Sequence, residues 1–266
     1  MKFEDLWPGR KPLIGMVHLK ALPGSPRYCT RLDDIYDFAL RDADALAEGG
    51  IDAIQVENQF DTPYCQGKDI PVETVAFITA AAYRIKERYP EIPLGINVHL
   101  NGADQAMAIA KAVGADFIRV FNLMNAYISN AGYCGAAGPE LMRYRNALDA
   151  SEIMVFGDFQ VKHGSHAITA DRTLKEKAHD IETCGAEAAI LTGSATGIAP
   201  DESLIGEVKS GIKIPLLIGS GLNASNFDTL WPLVDGAIIG SGFKPHGDLS
   251  APVSRELVRE LVDMTE

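Results

Sequence analysis

Short apolar runs alternate with longer amphipathic segments along the whole chain. Each run is short enough to be a single strand, and apolar residues on both faces are typical of strands buried in a parallel sheet. The eight predicted strands are Leu13–His18, Ala53–Glu57, Leu94–Val98, Phe117–Phe121, Ile153–Phe159, Ala188–Thr192, Leu216–Gly219 and Ala237–Gly240. Between them, apolar residues recur at helical spacing, which predicts helices at Asp34–Glu48, Val72–Tyr89, Ala103–Val113, Arg172–Cys184 and Leu204–Ser210.

Glycines mark the boundaries of this alternating pattern. Gly50, Gly114 and Gly185 each follow a predicted helix and precede a predicted strand, which is where a left-handed turn commonly ends a helix. Eight strand–helix units favour an α/β fold of the closed (β/α)₈ TIM-barrel type. An open doubly wound sheet more often has fewer strands and an early Gly-x-Gly-x-x-Gly turn, which this sequence lacks. Since 266 residues suit one such barrel, we predict a single domain over residues 1–266.

Composition and charge narrow the possible partners. The formal net charge is -12, and no polybasic cluster occurs, so we expect no binding of nucleic acid or of anionic membranes through charge. No apolar run approaches the roughly 20 residues of a spanning helix, and the N-terminus lacks the apolar stretch of a signal peptide. We therefore expect a cytoplasmic homo-oligomer without direct membrane insertion. No cysteine pair has zinc or redox spacing, so reduced thiols are expected at Cys29, Cys65, Cys134 and Cys184.

Four polar residues near the ends of predicted strands are the candidates for catalysis. A barrel builds its active site at the C-terminal ends of its strands, where this sequence has His18, Glu57, Asp158 and Lys162. Glu57 is interpreted either as a general base or metal ligand, or as a carboxylate paired with Arg119 or Lys162. Asp158 provides a second carboxylate, and two carboxylates also suit a divalent cation such as Mg²⁺ or Mn²⁺. No other cofactor is predicted.

The histidines and the lysine each have more than one interpretation. His18 is a candidate for proton transfer, because imidazole titrates near neutrality, or a hydrogen-bonded structural residue under the loop Ala21–Pro26. For Lys162 a salt bridge to a carboxylate is favoured over a Schiff base or phosphate neutralisation. The histidines lack any spacing dedicated to metal binding, which leaves the metal undetermined; these are His18, His99, His163 and His166.

Other polar residues near strand ends are candidates for substrate binding. They are Asn58, Asn97, Arg119, Asn122, Thr192 and Ser194. After the fourth predicted strand, the Asn-, Gly- and Ala-rich segment Leu123–Pro139 is interpreted as a lid over the site, in preference to an interface loop.

Two glycine-rich segments near the C-terminus share one design. Ile214–Asn223 and Asp235–Lys244 each contain a short apolar run that ends in Gly-Ser-Gly. The last two loops of a barrel are the usual phosphate site, and glycine lets backbone N–H groups approach an oxyanion closely. We therefore favour phosphate binding, with Lys244 nearby, over tight strand-to-helix turning alone. The predicted phosphate-binding residues are Gly219, Ser220, Gly221, Gly240, Ser241 and Gly242.

Several segments together resemble those of the BtpA/SgcQ family. They are Ile14–Leu19 with Leu22–Pro26, Val56–Asn58 with Asp61 and Pro63, Phe117–Val120, Val161–His163, Ile218–Leu222 and Gly240–Lys244. The resemblance implies a (β/α)₈ barrel with a phosphate site. One branch of this family is associated with photosystem I assembly, and another accompanies sugar-uptake genes and is described as nucleosidase-like. The segment after the third strand differs from the family pattern Asn-Val-Leu-Arg-Asn-Asp, because here it reads Asn-Val-His-Leu-Asn-Gly at 97–102.

Two hypotheses for function follow. The first is an enzyme that acts on a phosphorylated sugar or nucleoside, either a nucleosidase-like hydrolase or a sugar-phosphate isomerase or lyase. The second is a non-catalytic assembly factor, which the photosystem-linked branch suggests. The polar residues at the strand ends favour the enzyme, because a scaffold would not need them.

Overall fold

Eight parallel strands close into a barrel in the computed structural model, which describes residues 1–193 and 197–265. They are β1 (Leu13–His18), β2 (Ala53–Glu57), β3 (Leu94–Asn97), β4 (Phe117–Val120), β5 (Met154–Asp158), β6 (Ala188–Leu191), β7 (Leu216–Ile218) and β8 (Gly236–Ile239). Neighbours in the chain pair in order, and β8 returns to pair with β1. The predicted (β/α)₈ TIM barrel is confirmed, and no predicted strand end moves by more than one residue.

Helices follow the strands and pack on the outside of the barrel. They are α1 (Phe3–Leu6), α2 (Leu32–Gly49), α3 (Val72–Arg88), α4 (Ala103–Val113), α5 (Gly138–Ala147), α6 (Leu174–Cys184), α7 (Glu202–Lys209), α8 (Phe227–Leu230) and α9 (Arg255–Asp263). The five predicted helices correspond to α2, α3, α4, α6 and α7. Three of these end as predicted, with a left-handed glycine at Gly50, Gly114 and Gly185.

A small antiparallel hairpin interrupts the alternation between β4 and α5. It pairs Tyr127–Ser129 with Gly132–Cys134. The sequence did not predict these strands, because three residues are too few to show a period of two. The hairpin lies inside the segment Leu123–Pro139 that was interpreted as a lid.

The core has two parts, one between the sheet and the helices and one inside the barrel. Inside, Phe117 and Phe156 stack with ring centroids 4.7 Å apart. Phe3 and Trp7, from and beside α1, pack against these rings from the N-terminal end of the barrel. The lower half of the barrel is therefore filled with apolar side chains, and polar side chains are concentrated at the C-terminal end of the strands.

No helix in the described part of the chain is long and apolar enough to cross a membrane. The four cysteines are free thiols, as expected.

Candidate active site

A cavity of about 240 Å³ opens at the C-terminal ends of the strands. All four residues predicted to be catalytic line it, namely His18, Glu57, Asp158 and Lys162. The parallel register explains why two of them meet: His18 at the end of β1 pairs with Glu57 at the end of β2. Paired residues of neighbouring strands point to the same side of the sheet, which here is the barrel interior.

Glu57 lies between two imidazoles. His18 Nε2 is 3.3 Å from Glu57 Oε1, and His99 Nε2 is 3.5 Å from the same oxygen. His99 is held between Tyr64, whose ring centroid is 4.6 Å away, and the edge of Phe121 at 4.7 Å. The aromatic contacts fix the imidazole so that it points at the carboxylate.

The surroundings of Glu57 keep it ionised. Burial on its own would raise the pKa of this carboxyl, but His99 and His18 overcome that effect and hold the pKa well below its usual range. The second oxygen, Oε2, is buried and accepts no hydrogen bond from the described residues. Glu57 is therefore a fixed negative charge that stabilises positive charge on either imidazole.

Arg119 forms a bidentate salt bridge with Asp158. Arg119 Nε donates to Asp158 Oδ1 at 2.9 Å, and Nη2 donates to Oδ2 at 2.8 Å, with both side chains buried. Burial raises the pKa of the Asp158 carboxyl, and Arg119 limits that rise. Since a guanidinium remains charged in proteins, the pair is ionised near neutral pH. The carboxylate paired with Arg119 is thus Asp158, and the alternative pairing of Arg119 with Glu57 is wrong.

Lys162 is a cation of the cavity that has no bonded anion in the described part of the chain. Its ammonium group makes no hydrogen bond and no ion pair within 4.0 Å to any residue of 1–193 and 197–265. The favoured salt bridge to a carboxylate is therefore absent, because Arg119 occupies Asp158 and the two imidazoles flank Glu57. Burial and the nearby Arg119 lower the pKa of Lys162, against the opposing effect of Glu57 and Asp158.

The two Gly-Ser-Gly turns contribute Gly219, Ser220, Gly240 and Ser241 to the cavity wall. The N–H of Gly219 is used by the barrel, since it donates to Leu191 O at 2.9 Å. The N–H of Ser220 donates to no residue in the described ranges, and the Ser220 hydroxyl accepts from Gly197 N at 3.1 Å. A Cβ on Gly240 would lie 2.8 Å from His18 Cε1, so glycine is required there for the imidazole to fit.

Packing accounts for the other two glycines of these turns. Gly221 has a φ of +88°, and a Cβ there would collide with the backbone of Ala199. At Gly242 it would touch Ile239 and the Leu222 carbonyl. Neither Gly221 nor Gly242 lines the cavity at the C-terminal ends of the strands, so phosphate binding by these two residues stays a prediction.

Lys244, which was expected near the phosphate, has a structural role. It is buried, 3.0 Å from Asp42 Oδ2, and donates to the Ala251 carbonyl at 2.7 Å.

Comparison with known proteins identifies the family of this chain. The model of the BtpA family matches residues 9–266. The chain belongs to this family. An uncharacterised protein of Archaeoglobus fulgidus is 41% identical, covering 94% of this chain and 98% of the relative. The protein named photosystem I biogenesis protein BtpA, from Synechocystis, is 36% identical, covering 91% of this chain and 83% of its own.

Solved structures of other families share the fold of this BtpA-family protein. Thiamine phosphate pyrophosphorylase from Pyrococcus furiosus has a TM-score of 0.56 at 16% identity and covers 96% of this chain and 95% of its own. Tryptophan synthase from Mycobacterium tuberculosis has a TM-score of 0.62 at 17% identity and covers 96% and 92%. At these identities the likeness shows the barrel fold alone.

Two of the residues predicted to bind substrate, Asn97 and Thr192, bond to the backbone of residues next to the cavity. Arg119 lines the cavity, whereas Asn97 donates to the Arg119 carbonyl at 3.2 Å and Thr192 to the Gln160 carbonyl at 3.1 Å. Ser194 lies outside the described residues. Substrate contacts by these residues stay predictions.

Two asparagines predicted to bind substrate hold loops in place. Asn58 Oδ1 accepts from His99 N at 2.8 Å, and Asn58 Nδ2 donates to Asp61 at 3.2 Å. Asn122 Nδ2 donates to the carbonyls of Asn125, Cys134 and Gly135 at the base of the hairpin. Asn58 thereby positions the segment that carries His99.

Sequence reasoning counted His99 among the polar strand-end residues and the possible metal ligands, but it did not predict the contact of His99 with Glu57. The available signal was its position two residues beyond the end of β3, level with the other polar strand ends. Among residues 1–193 and 197–265, no three His, Cys, Asp or Glu side chains form a group that could hold a metal ion.

The hairpin borders the cavity. Tyr127, Ser129 and Asn130 line it. Gln66, from the loop after β2, anchors the hairpin: its Nε2 donates to the Ala131 carbonyl at 2.7 Å, and its Oε1 accepts from Cys134 Sγ at 3.0 Å. The predicted lid segment therefore does reach the site, where it is linked to a second loop.

Proposed function

We propose that this protein is an enzyme acting on a small phosphorylated substrate of the sugar or nucleoside type. The observation that carries this proposal is the ionised Glu57, flanked by the imidazoles of His18 and His99 in one cavity with Lys162, which has no hydrogen bond or ion pair to any described residue. Such a cluster is costly to bury and has no evident use in a scaffold, whereas perturbed titratable groups are concentrated at active sites. The whole cluster stands at the end of the barrel where barrel enzymes carry out their chemistry.

The loops after β7 and β8 would hold the phosphate. Ser220 and Ser241 bring hydroxyls to the cavity wall, and the Ser220 N–H has no acceptor in the described chain. Small flexible turns of this kind let an oxyanion approach the backbone closely. Two barrels of the same fold have phosphate-containing names, thiamine phosphate pyrophosphorylase and phosphoribosyl anthranilate isomerase.

Proton transfer would be carried by the imidazoles. A carboxylate with a strongly lowered pKa is a weak base, so Glu57 is suited to stabilise the imidazolium that forms when His18 or His99 takes a proton from substrate. Asp158 would act indirectly, since both of its oxygens are occupied in holding Arg119 at the cavity. This division of roles fits isomerisation or lyase chemistry, and it also fits hydrolysis in which an imidazole activates water.

A thermal-shift screen tests the proposal. Glycerol 3-phosphate, ribose 5-phosphate and nucleoside monophosphates would raise the melting temperature more than the same compounds without phosphate, because ligands that bind only the folded state stabilise it. The gain is about 2.7 kcal/mol at about 100 times Kd. Ser241→Asp would abolish the shift by charge repulsion, whereas Ser225→Asp, an exposed serine on the β7 loop, would preserve it. Equal shifts with and without phosphate would contradict the proposal.

The second candidate is an assembly factor, and the name of the Synechocystis relative is the observation that favours it. Under that hypothesis Glu57→Gln would leave assembly of the complex intact in a complemented deletion strain. Loss of function with unchanged protein level would instead support catalysis. A cytoplasmic location and a homo-oligomeric state also belong to our proposal, and cell fractionation and light scattering test them.

A further inference from the structure

Lys162 is the cavity cation whose charge no described residue neutralises. Arg119 is committed to both oxygens of Asp158, and His18 and His99 both approach Glu57 Oε1. The ammonium of Lys162 finds no bonded acceptor among residues 1–193 and 197–265 although it lines the same cavity. A buried or half-buried lysine that serves stability normally takes a carboxylate or a carbonyl. A ligand in the cavity can therefore bond this nitrogen without displacing a described residue.

Lys162 lies on a different part of the barrel rim from the two turns that are proposed to bind phosphate. Lys162 follows β5, whereas the two Gly-Ser-Gly turns follow β7 and β8, with β6 between them in the barrel. A substrate whose phosphate occupies those turns would present its sugar end to Lys162 and to the Glu57 cluster. This step rests on the proposed function.

The electrostatic setting suits an amine nucleophile better than a fixed cation. Burial and the charge of Arg119 lower the pKa of Lys162, which increases the fraction of neutral amine near neutral pH. The imidazoles of His18 and His99 stand in the same cavity and can exchange protons with a reacting oxygen. An amine nucleophile and a proton donor together are the requirements for imine formation.

We propose that Lys162 forms an imine with the carbonyl carbon of a phosphorylated aldehyde or ketone. The neutral Nζ attacks the carbonyl carbon, a C–N bond forms as the C=O π bond opens, and one proton of the nitrogen passes by way of an imidazole to the oxygen, which gives a neutral carbinolamine. An imidazolium then protonates the hydroxyl group, which leaves as water, and the nitrogen keeps its last proton in a protonated imine. The resulting C=N bond draws electrons from the neighbouring carbon and thereby labilises a C–H or C–C bond there. The reaction class would be isomerisation or lyase chemistry.

Borohydride trapping tests this proposal directly. The full-length protein is incubated with dihydroxyacetone phosphate, glyceraldehyde 3-phosphate or ribulose 5-phosphate, reduced with borohydride, and analysed by intact mass and peptide mapping. We expect one covalent adduct, located on Lys162. The Lys162→Arg variant would form none although its charge is kept. The control Lys20→Arg would still be labelled, since Lys20 also has a pKa lowered by burial but does not line the cavity.

The outcomes separate this inference from the proposed function. Glycerol 3-phosphate has a phosphate and no carbonyl, so its thermal shift reports phosphate binding alone. A shift with glycerol 3-phosphate and no adduct with any carbonyl compound overturns the imine and leaves the proposed function standing, with Lys162 as an ionic contact. An adduct on other lysines also overturns the imine at Lys162. If no compound shifts and none is trapped, both proposals fail.

Discussion

Glu57 links the chemistry of the cavity to the stability of the fold. Its pKa is lowered well below the ordinary value of 4.5, so its ionisation stabilises the folded state fully above about that pH. The stabilisation is lost as the pH falls through the folded-state pKa. We expect Glu57→Gln to be less stable than wild type at pH 7 and the difference to shrink below pH 4.5, as measured by urea denaturation at several pH values. The variant Glu207→Gln, at an exposed carboxylate on α7, would show little change, and a pH-independent difference at Glu57 would contradict the prediction.

Gly240 leaves the space that the His18 imidazole occupies. An alanine Cβ there would lie 2.8 Å from His18 Cε1, so Gly240→Ala is expected to displace the ring from Glu57. Because general acid–base groups contribute about a hundredfold or more to rate, turnover of the trapped or identified substrate would fall by about that factor. Circular dichroism would be unchanged.

The control for this variant is another glycine-to-alanine change. At Gly206, on the exposed face of α7, a new Cβ meets nothing within 4 Å. Gly206→Ala should keep full activity and gain up to about 1 kcal/mol of stability from helix propensity. Equal activity loss in both variants would argue against a specific role for Gly240.

The polar residues at strand ends were predictable because the barrel rule places them together. His18, Glu57, Asp158 and Lys162 all reached the cavity as expected. The pairing inside the cavity was not predictable, since the choice of Arg119 between two carboxylates depends on side-chain geometry that strand order does not specify. For the same reason, the use of Asn58 in holding the His99 loop could not be read from its position.

At the scale of elements, we expect the hairpin to open more readily than the strands of the barrel, because it is short and makes few contacts. Its two strands contain three residues each, and Gln66 ties it to the loop after β2. Gln66→Ala removes the hydrogen bonds to Ala131 and Cys134. At a net cost of about 1 kcal/mol, amide exchange in residues 127–134 should accelerate about fivefold. Hydrogen–deuterium exchange measures this directly.

Gln105→Ala is the matched control for the hairpin. Gln105 Nε2 also donates to a backbone carbonyl, that of Gly67, at 3.1 Å. We expect exchange in the hairpin to be unaffected by this change, whereas saturating phosphorylated ligand should slow it in wild type. If both variants accelerate the hairpin equally, Gln66 is not its specific anchor.

The elements were predictable where burial imposes a pattern on the sequence. Strands buried on both faces appear as apolar runs, and long amphipathic helices such as α3 appear as helical periodicity. The hairpin, α1 and α8 were not predicted, because an element of three or four residues carries too little periodicity to be seen. The helices α5 and α9, of ten and nine residues, were also not predicted.

At the scale of the whole molecule, the N-terminal segment covers the end of the barrel where the strands begin. Trp7 packs on Phe117 at 6.1 Å and on Phe156 at 6.4 Å between ring centroids. Trp7→Ala should reduce the free energy of unfolding by about 3–5 kcal/mol, the usual cost of removing a buried large aromatic side chain. Urea denaturation measures it, and Tyr83→Ala, an exposed aromatic on α3, should change little. If Trp7→Ala lowers the free energy of unfolding by no more than Tyr83→Ala, Trp7 does not stabilise the barrel in this way.

The closure of the barrel between β1 and β8 also sets when the cavity can form. His18 comes from the first strand, and Gly240, which makes room for its imidazole, follows the last. A ribosome therefore has to synthesise nearly the entire chain before the two halves of the site can meet. A nascent chain that stops before β8 carries every acidic and basic group of the cavity. It lacks the pairing of β1 with β8 that closes the barrel and brings these groups together. Premature termination or C-terminal proteolysis before β8 would thus yield a fragment without the assembled cavity, however much of the remaining helix and strand content it retained.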